Sequence, residues 1–504
     1  MCPRSERSKS LYRCGKNKGV MTTDAHATGI TIDIPRYHDV WMDNELKTVE
    51  KDIFFQFTGN PFVDAGIWAI CEWCKKERPE DLDTDDLRMM IGDIVPLYLT
   101  PAWSKNLYSI FPNNPITNPS VEDKKGSMSK FLNDLLHEIT PITNEGSGNC
   151  ISCGRRIVKT VRTKTEIPLL GSGSLVNYFP NGQSGADYCP ACTFAVQFSP
   201  LIFYSCRKLL LLHSNSVKVM RYWAKRAIQD IRRQMIERDY GGCFNENFKN
   251  PRNALFHIIQ DIVLGYDERW SEENPSIILY HFTNYNQGPD LDLYYLPTQV
   301  FRFLTYVRQH ERYHQWIQIV RRGYINVDLN KVKEEGDYRD KMNVVYNNLL
   351  TGESIVKFFI DHEGRKVLGN WDLLSYYLKE VRNMEAKRLE TIKRVGDELA
   401  DYIKETENLK RLTQLEQARN YGTLRNILRF IITDRIRKCA DKPLFSLDEY
   451  VEDLFPDGYM NWKETQDLLL FRIYETLHTW LVEQERSGLE LIEESSTEEI
   501  TVEE

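Results

Sequence analysis

The sequence predicts an α+β protein: a mixed N-terminal region interrupted by a loop-rich cysteine module, then a C-terminal helical bundle. Three observations predict it. Short extended stretches alternate with helical apolar spacing up to about residue 370. Two Cys-x-x-Cys pairs bracket a stretch rich in Gly, Ser, Pro and Asn within residues 141–195. Beyond about residue 370 the spacing is almost wholly helical.

Taken in order, residues 1–30 read as a basic, apolar-poor disordered tail. Residues 31–370 form the α+β region, with the cysteine module at about 145–195. The run 54–61 reads as a strand ending in a turn, and 62–74 as a helix with Ile67 and Ile70 on its apolar side. Residues 196–265 read as helical and basic. Two β-like stretches, 277–282 and 291–296, flank a polar loop over 283–290, and a helix follows over about 298–322. Residues 371–490 read as a bundle of four or five helices, with long stretches at 371–409 and 412–437 and another helix from about 462 to 484. Residues 491–504 form an acidic disordered tail.

Composition sets outer limits. The 504 residues are 41% hydrophobic and 27% charged, ordinary for a globular chain with a sizeable core. No apolar run nears the roughly 18 residues needed to cross a bilayer, and the N-terminus lacks a signal-peptide centre. These features predict a cytoplasmic protein with no membrane partner. The net charge of −8 argues against a polyanion partner, but the charge is unevenly spread. Residues 146–165 carry five basic residues and no acid, and local field rather than total charge decides such binding.

Six of the eleven cysteines fall in three Cys-x-x-Cys pairs. In a long intracellular chain such pairs point to metal or redox chemistry rather than a disulfide framework. Cys150/Cys153 and Cys189/Cys192 together offer four thiolates, the set for a closed tetrahedral Zn²⁺ site. Gly154 follows Cys153 as in a zinc knuckle. Four cysteine ligands leave no position for water, so the zinc is expected to be structural; a redox site is the alternative. Cys71 and Cys74 lie in an apolar helical stretch and read as core residues.

His310-Glu311-Arg312-Tyr313-His314 matches the H-E-x-x-H pattern of zinc hydrolases, in which two histidines on one helix face hold the metal. Arg312 sets a fixed positive charge inside it, and no convincing third ligand follows. Histidines packed on the face of Phe303, Val307 and Ile317 are the competing reading.

Residues 207–233 hold eight Lys or Arg and one acid. Lys218, Arg221, Lys225, Arg226 and Arg232 recur at helical spacing, the footprint of phosphate contacts, although a solvated helix face has the same pattern. Arg155, Arg156 and Lys159 make a second patch, leading into Gly171-Ser172-Gly173-Ser174, where glycines let backbone approach a groove. Asn284, Asn286 and Gln287 offer amides that can contact base edges.

The run Phe57-Thr58-Gly59-Asn60-Pro61-Phe62-Val63-Asp64-Ala65-Gly66, the two cysteine pairs and Asn286-Gln287-Gly288-Pro289 occur in that order. In this the chain resembles the CXXC–CXXC family of CRISPR-associated proteins, the large subunit of type I-B Cascade. The resemblance implies a non-catalytic subunit of a guide-RNA-loaded complex with backbone and small subunits. Such a subunit recognises a protospacer-adjacent motif in target duplex DNA, stabilises the R-loop, and precedes a helicase–nuclease or transposition factors. It makes Asn60, residues 171–174, Asn284, Asn286 and Gln287 candidates for motif recognition. It makes Arg388, Arg394, Arg425 and Arg429 candidates for backbone contacts in a helical region that can also be made separately, from Met342 or Met384. The alternatives are a zinc-dependent hydrolase using His310, Glu311 and His314, and a purely architectural RNA-binding scaffold.

Overall fold

A computed structural model describes residues 54–139, 146–158, 161–171, 185–264, 274–286, 288–309, 312–328, 339–407 and 409–498. The predicted tail at 1–30 lies outside the described residues. The fold is α+β, as predicted. Helices α1 (Pro61–Cys74), α2 (Thr84–Tyr98), α3 (Pro101–Tyr108) and α4 (Lys124–Glu138) lead into four two-residue strands. These are β1 (Gly148–Asn149), β2 (Arg156–Ile157), β3 (Val161–Arg162) and β4 (Ala186–Asp187). Helix α5 (Pro190–Val196) follows, then β5 (Tyr204–Cys206), β6 (Lys208–Ser214), α6 (Val217–Glu237), α7 (Pro251–Leu264), β7 (Ile277–Tyr285) and β8 (Gly288–Leu296).

Helix α1 is the hub. Eleven of its fourteen residues are buried, because it is enclosed by α5, α6 and β6. A helix apolar nearly all round belongs inside. Asn60 caps it, its side-chain oxygen accepting from the Phe62 and Val63 amides, with Pro61 at the first helical position. Gly66 is required by packing: a Cβ there would fall 1.8 Å from the Ala195 carbonyl oxygen of α5. Phe62, Phe203 and Phe282 meet edge to face, joining α1 to β7.

The sheet is antiparallel in the order β5-β6-β7-β8. Among the described residues β8 has no second neighbour, and Leu291, Leu293 and Tyr295 on it are 42%, 41% and 59% exposed.

Several expectations are corrected here. Pro61 already belongs to α1, and residues 54–60 form no strand. Their backbone groups bond to side chains instead: Phe54 carbonyl to Arg155, and the Thr58 and Gly59 amides to Asp64. Residues 196–265 are not all helical, since β5 and β6 occupy 204–214. The run Leu209–Leu212 is buried on both faces, and a short continuous apolar run does not distinguish strand from buried helix. The polar loop expected at 283–290 is mostly paired strand: Thr283 faces Asp290, and Asn284 faces Pro289.

Beyond the sheet come α8 (Thr298–Gln309), α9 (Tyr313–Arg322), α10 (Val344–Thr351), the short strands β9 (Ile360–Asp361) and β10 (Lys366–Val367), and α11 (Trp371–Glu380). Then follow α12 (Ala386–Glu405), α13 (Leu409–Glu416), α14 (Tyr421–Arg437), a π-helix over Glu449–Leu454, and α15 (Trp462–Glu498). The helix expected over 298–322 is therefore two, α9 starting after Arg312. The stretch 371–409 divides near Asn383, which sits at φ +54°, and 412–437 divides at Asn420, which caps α14. Helix α15 continues to Glu498, into the acidic stretch expected as a tail. No helix among the described residues is long and apolar enough to cross a membrane.

Candidate metal centre and nucleic-acid surfaces

Each cysteine pair follows a two-residue strand held in an antiparallel pair. Strands β1 and β2 bring Asn149 opposite Arg156, and the turn between them carries Cys150 and Cys153. It is closed by Cys150 N–H to the Arg155 carbonyl at 2.8 Å and Gly154 N–H to the Cys150 carbonyl at 2.9 Å. Gly154 at φ +71° supplies the left-handed residue this turn needs. Strands β3 and β4 lead to the second pair. Cys189 caps α5, its sulfur accepting from the Cys192 amide at 3.3 Å, with Pro190 at the first helical position. Ile151 N–H to the Asp187 carbonyl, 2.9 Å, ties the two turns together.

All four sulfurs lie within 4.8 Å of one another, with Cys153 Sγ and Cys189 Sγ 3.7 Å apart. Four sulfurs on ~2.3 Å bonds around a tetrahedral ion would be about 3.8 Å apart, so the donor set fits one metal ion. Crowding also skews the thiols: hydrogen bonds from Cys153, Cys189 and Cys192 pull the Cys150 thiol far below its ordinary range. Those same contacts push Cys189 and Cys192 up. A cation at the centre removes this competition for protons.

The Phe57–Gly66 run braces the centre from outside. Asp64, 3% exposed, accepts from the Thr58 amide and hydroxyl and the Gly59 amide, and His213 Nε2 lies 3.4 Å from it. Ser152 Oγ, between the two ligands of the first turn, donates to Thr58 Oγ1 at 3.0 Å, and Asn60 Nδ2 donates to the Tyr188 hydroxyl at 3.1 Å. Burial pushes the Tyr188 phenol up to about 12, so it stays a neutral acceptor.

Other predicted positions are distributed as follows. Asn60 is spent on its cap. Asn284, fully buried, donates to the Ile110 and Lys164 carbonyls and accepts from the Leu169 amide, which fixes the hairpin rather than presenting an amide outward. Asn286 is exposed, its carbonyl accepting from Lys164 Nζ at 3.3 Å. Gly171 accepts from the Lys164 amide. Lys159, Ser172, Gly173, Ser174 and Gln287 lie outside the described residues. Arg155 is buried on the Phe54 carbonyl, whereas Arg156 is exposed.

On α6, Arg221 donates to the Glu77 carbonyl and Arg232 to the Trp73 carbonyl, covering the C-terminal end of α1. Arg226 bridges Glu246 at 2.6 Å and Asp261 at 2.9 Å. Lys218 and Lys225 are exposed. In the C-terminal helices Arg388 donates to the Asp453 carbonyl, and Arg394 to the Leu444 carbonyl and Glu449. Arg425 and Arg429 are exposed on α14.

Two further clusters resemble metal sites. Glu246, His257 and Asp261 converge, but Arg226 already fills the space between the carboxylates as a cation. In the H-E-x-x-H stretch, His310 and Glu311 lie outside the described residues. His314 is exposed, which corrects the expectation of a packed core histidine. Arg312 turns to the Tyr306 hydroxyl and Asp372. Cys71 is buried, and burial pushes the Cys74 thiol up to about 12, so this pair is not poised as thiolate.

Sequence reasoning missed the bracing role of Asp64 and Thr58, and the exposed Tyr108–Tyr285 pair at the hairpin tip. Neither has a local signal: both depend on segments distant in the chain.

Residues 143–204 match the family model described as CRISPR-associated protein (Cas_CXXC_CXXC). The matched stretch contains both cysteine turns and runs to the start of β5, so this part of the chain is similar to CRISPR-associated proteins of the CXXC–CXXC kind. No curated protein and no solved structure matches the chain.

Proposed function

We propose that this chain is the large, non-catalytic subunit of a type I-B CRISPR surveillance complex, with one structural zinc held by Cys150, Cys153, Cys189 and Cys192. In this role it recognises a protospacer-adjacent motif in duplex DNA and stabilises the R-loop, within an assembly of guide RNA, backbone subunits and small subunits. A helicase–nuclease or transposition factors act downstream. One observation carries the reading: the stretch similar to the CXXC–CXXC family folds its four cysteines into a single closed donor set. Zinc there supplies folding free energy and no reaction, because four thiolates leave no site for water. Asn286 and cations such as Arg156, Lys218, Lys225, Arg425 and Arg429 are exposed, so nucleic acid can reach them. Asn286 and Gln287 are the remaining hairpin candidates for base contacts.

The test is a gel shift with the assembled complex and target duplexes differing only in the bases flanking the guide match. The expected result is flank-dependent binding that Asn286→Ala with Gln287→Ala weakens about 5- to 100-fold, the range for one lost base contact, while guide-RNA loading is unchanged. Equal binding to every flank would remove motif recognition from the reading.

A further inference from the structure

Beside the hairpin tip lies a cleft of about 510 Å³ that no part of the cysteine centre reaches. Its walls are Lys105 and Tyr108 of α3, Ile116 and Thr117 of the loop that follows, Lys124 at the start of α4, and Tyr285 at the end of β7. Three properties of this cleft converge on one ligand chemistry.

The first is exposed aromatic surface. Tyr108 and Tyr285 are 48% and 44% exposed, the first carried by α3 and the second paired with Gly288 in the sheet. Their ring centroids are 6.0 Å apart at an interplanar angle of 44°. A flat ring inserted between them would need about 7 Å, two contacts of ~3.5 Å, so the pair offers an outer face rather than a slot.

The second is uncompensated positive charge. The described lining residues include two lysines and no carboxylate, and neither Lys105 nor Lys124 is in an ion pair among the described residues. Lys164 adds a third ammonium at the adjoining hairpin tip.

The third is rigidity. Asn284, next to Tyr285, bonds through its amide to the Ile110 and Lys164 carbonyls, and its N–H donates to the Ser109 carbonyl. This stitches the end of β7 to the end of α3, so the backbone that carries the two rings is held before any ligand arrives, which lowers the ordering cost of binding.

A π-face flanked by free ammonium groups suits a nucleobase and its phosphates; an apolar peptide would leave the lysines unsatisfied. We propose that this cleft binds one unpaired nucleotide of a DNA strand, with the base stacked on the Tyr108–Tyr285 pair and the phosphates against Lys105 and Lys124. The inference rests on the nucleic-acid reading above and gives it a separate site for unpaired strand.

The experiment is fluorescence anisotropy of the full chain with a short single-stranded deoxyoligonucleotide and with a blunt duplex of the same sequence. Tyr108→Ala and Tyr285→Ala should each lower single-strand affinity about 5- to 100-fold, the range for one stacked base. Tyr108→Phe and Tyr285→Phe, which keep the ring, should stay within about twofold. Lys105→Ala and Lys124→Ala should each reduce the slope of log affinity against log salt by about 0.7, one phosphate on a single strand. Both tyrosine rings are surface groups, so unchanged melting temperatures are expected to accompany these losses. Alanine variants that bind the single strand as well as the parent, or phenylalanine variants that lose as much as alanine, overturn the cleft while duplex binding leaves the broader reading standing. A parent chain that binds neither probe overturns the cleft, while the broader reading is decided by the gel shift on the assembled complex.

Discussion

Around Cys150 and Cys189 the chain orders itself with two-residue strands, and Ile151 and Val158 stand 42% and 77% exposed. In the C-terminal helices, α12 packs against α15, and Leu399 and Ile403 of α12 and Leu468 and Phe471 of α15 are fully buried. The first region pairs its backbone only through two-residue strands, and a metal on its four sulfurs would add folding free energy. The second gains roughly 1.5–3 kcal/mol for each large side chain it buries. Four sulfurs gathered on one ion would hold the first, and area spread along helices holds the second. The two should therefore fail independently.

The largest expected break is Cys189→Ser. Loss of one ligand from a closed four-thiolate site should drop zinc from about one per chain to near zero. It should also open residues 146–187 to protease while most of the helical circular dichroism persists. Measured zinc content, with limited proteolysis and dichroism on one sample, checks this; a variant that keeps its zinc and its resistance would remove the metal from the account. Next in size, Ile403→Ala should cost about 2–5 kcal/mol through the cavity it leaves. Its melting temperature should fall while zinc content stays at the parent level, and a parallel loss of zinc would show that the two regions are coupled.

The smallest effect is a pH dependence inside the helices. Asp467, 6% exposed, lies 2.9 Å from Lys463, yet burial raises its carboxyl above the ordinary value. The folded chain holds that proton more tightly than the unfolded chain, so the group favours the fold at acid pH. That contribution is lost as pH rises through the raised value. Asp467→Asn removes the titration, so its melting temperature relative to the parent should rise from acid to neutral pH. A difference that is flat with pH would show that Lys463 fully offsets the burial.

What was legible in the sequence follows the same division. The four cysteines were visible because ligand spacing is local and chemically specific. Helix α1 and the β7–β8 pair were visible because their apolar periods are local too. The arginines were not. Arg155, Arg221, Arg232, Arg388 and Arg394 looked like phosphate contacts, but their guanidinium groups donate to carbonyls contributed by other segments. A basic stripe reads the same whether its acceptor is a phosphate or the Trp73 carbonyl; only the fold distinguishes them. Strand β6 was missed for a related reason, since four consecutive leucines carry no period at all.

The open flank of β8 has a practical consequence. The outer edge of this nine-residue strand has no strand partner among the described residues, and with Leu291, Leu293 and Tyr295 exposed on it, it is a template on which copies of the chain can join. Purified alone, the protein should lose solubility with concentration before it loses structure with heat. A lysine in place of Leu293 should lengthen its storage life more than any change to the core.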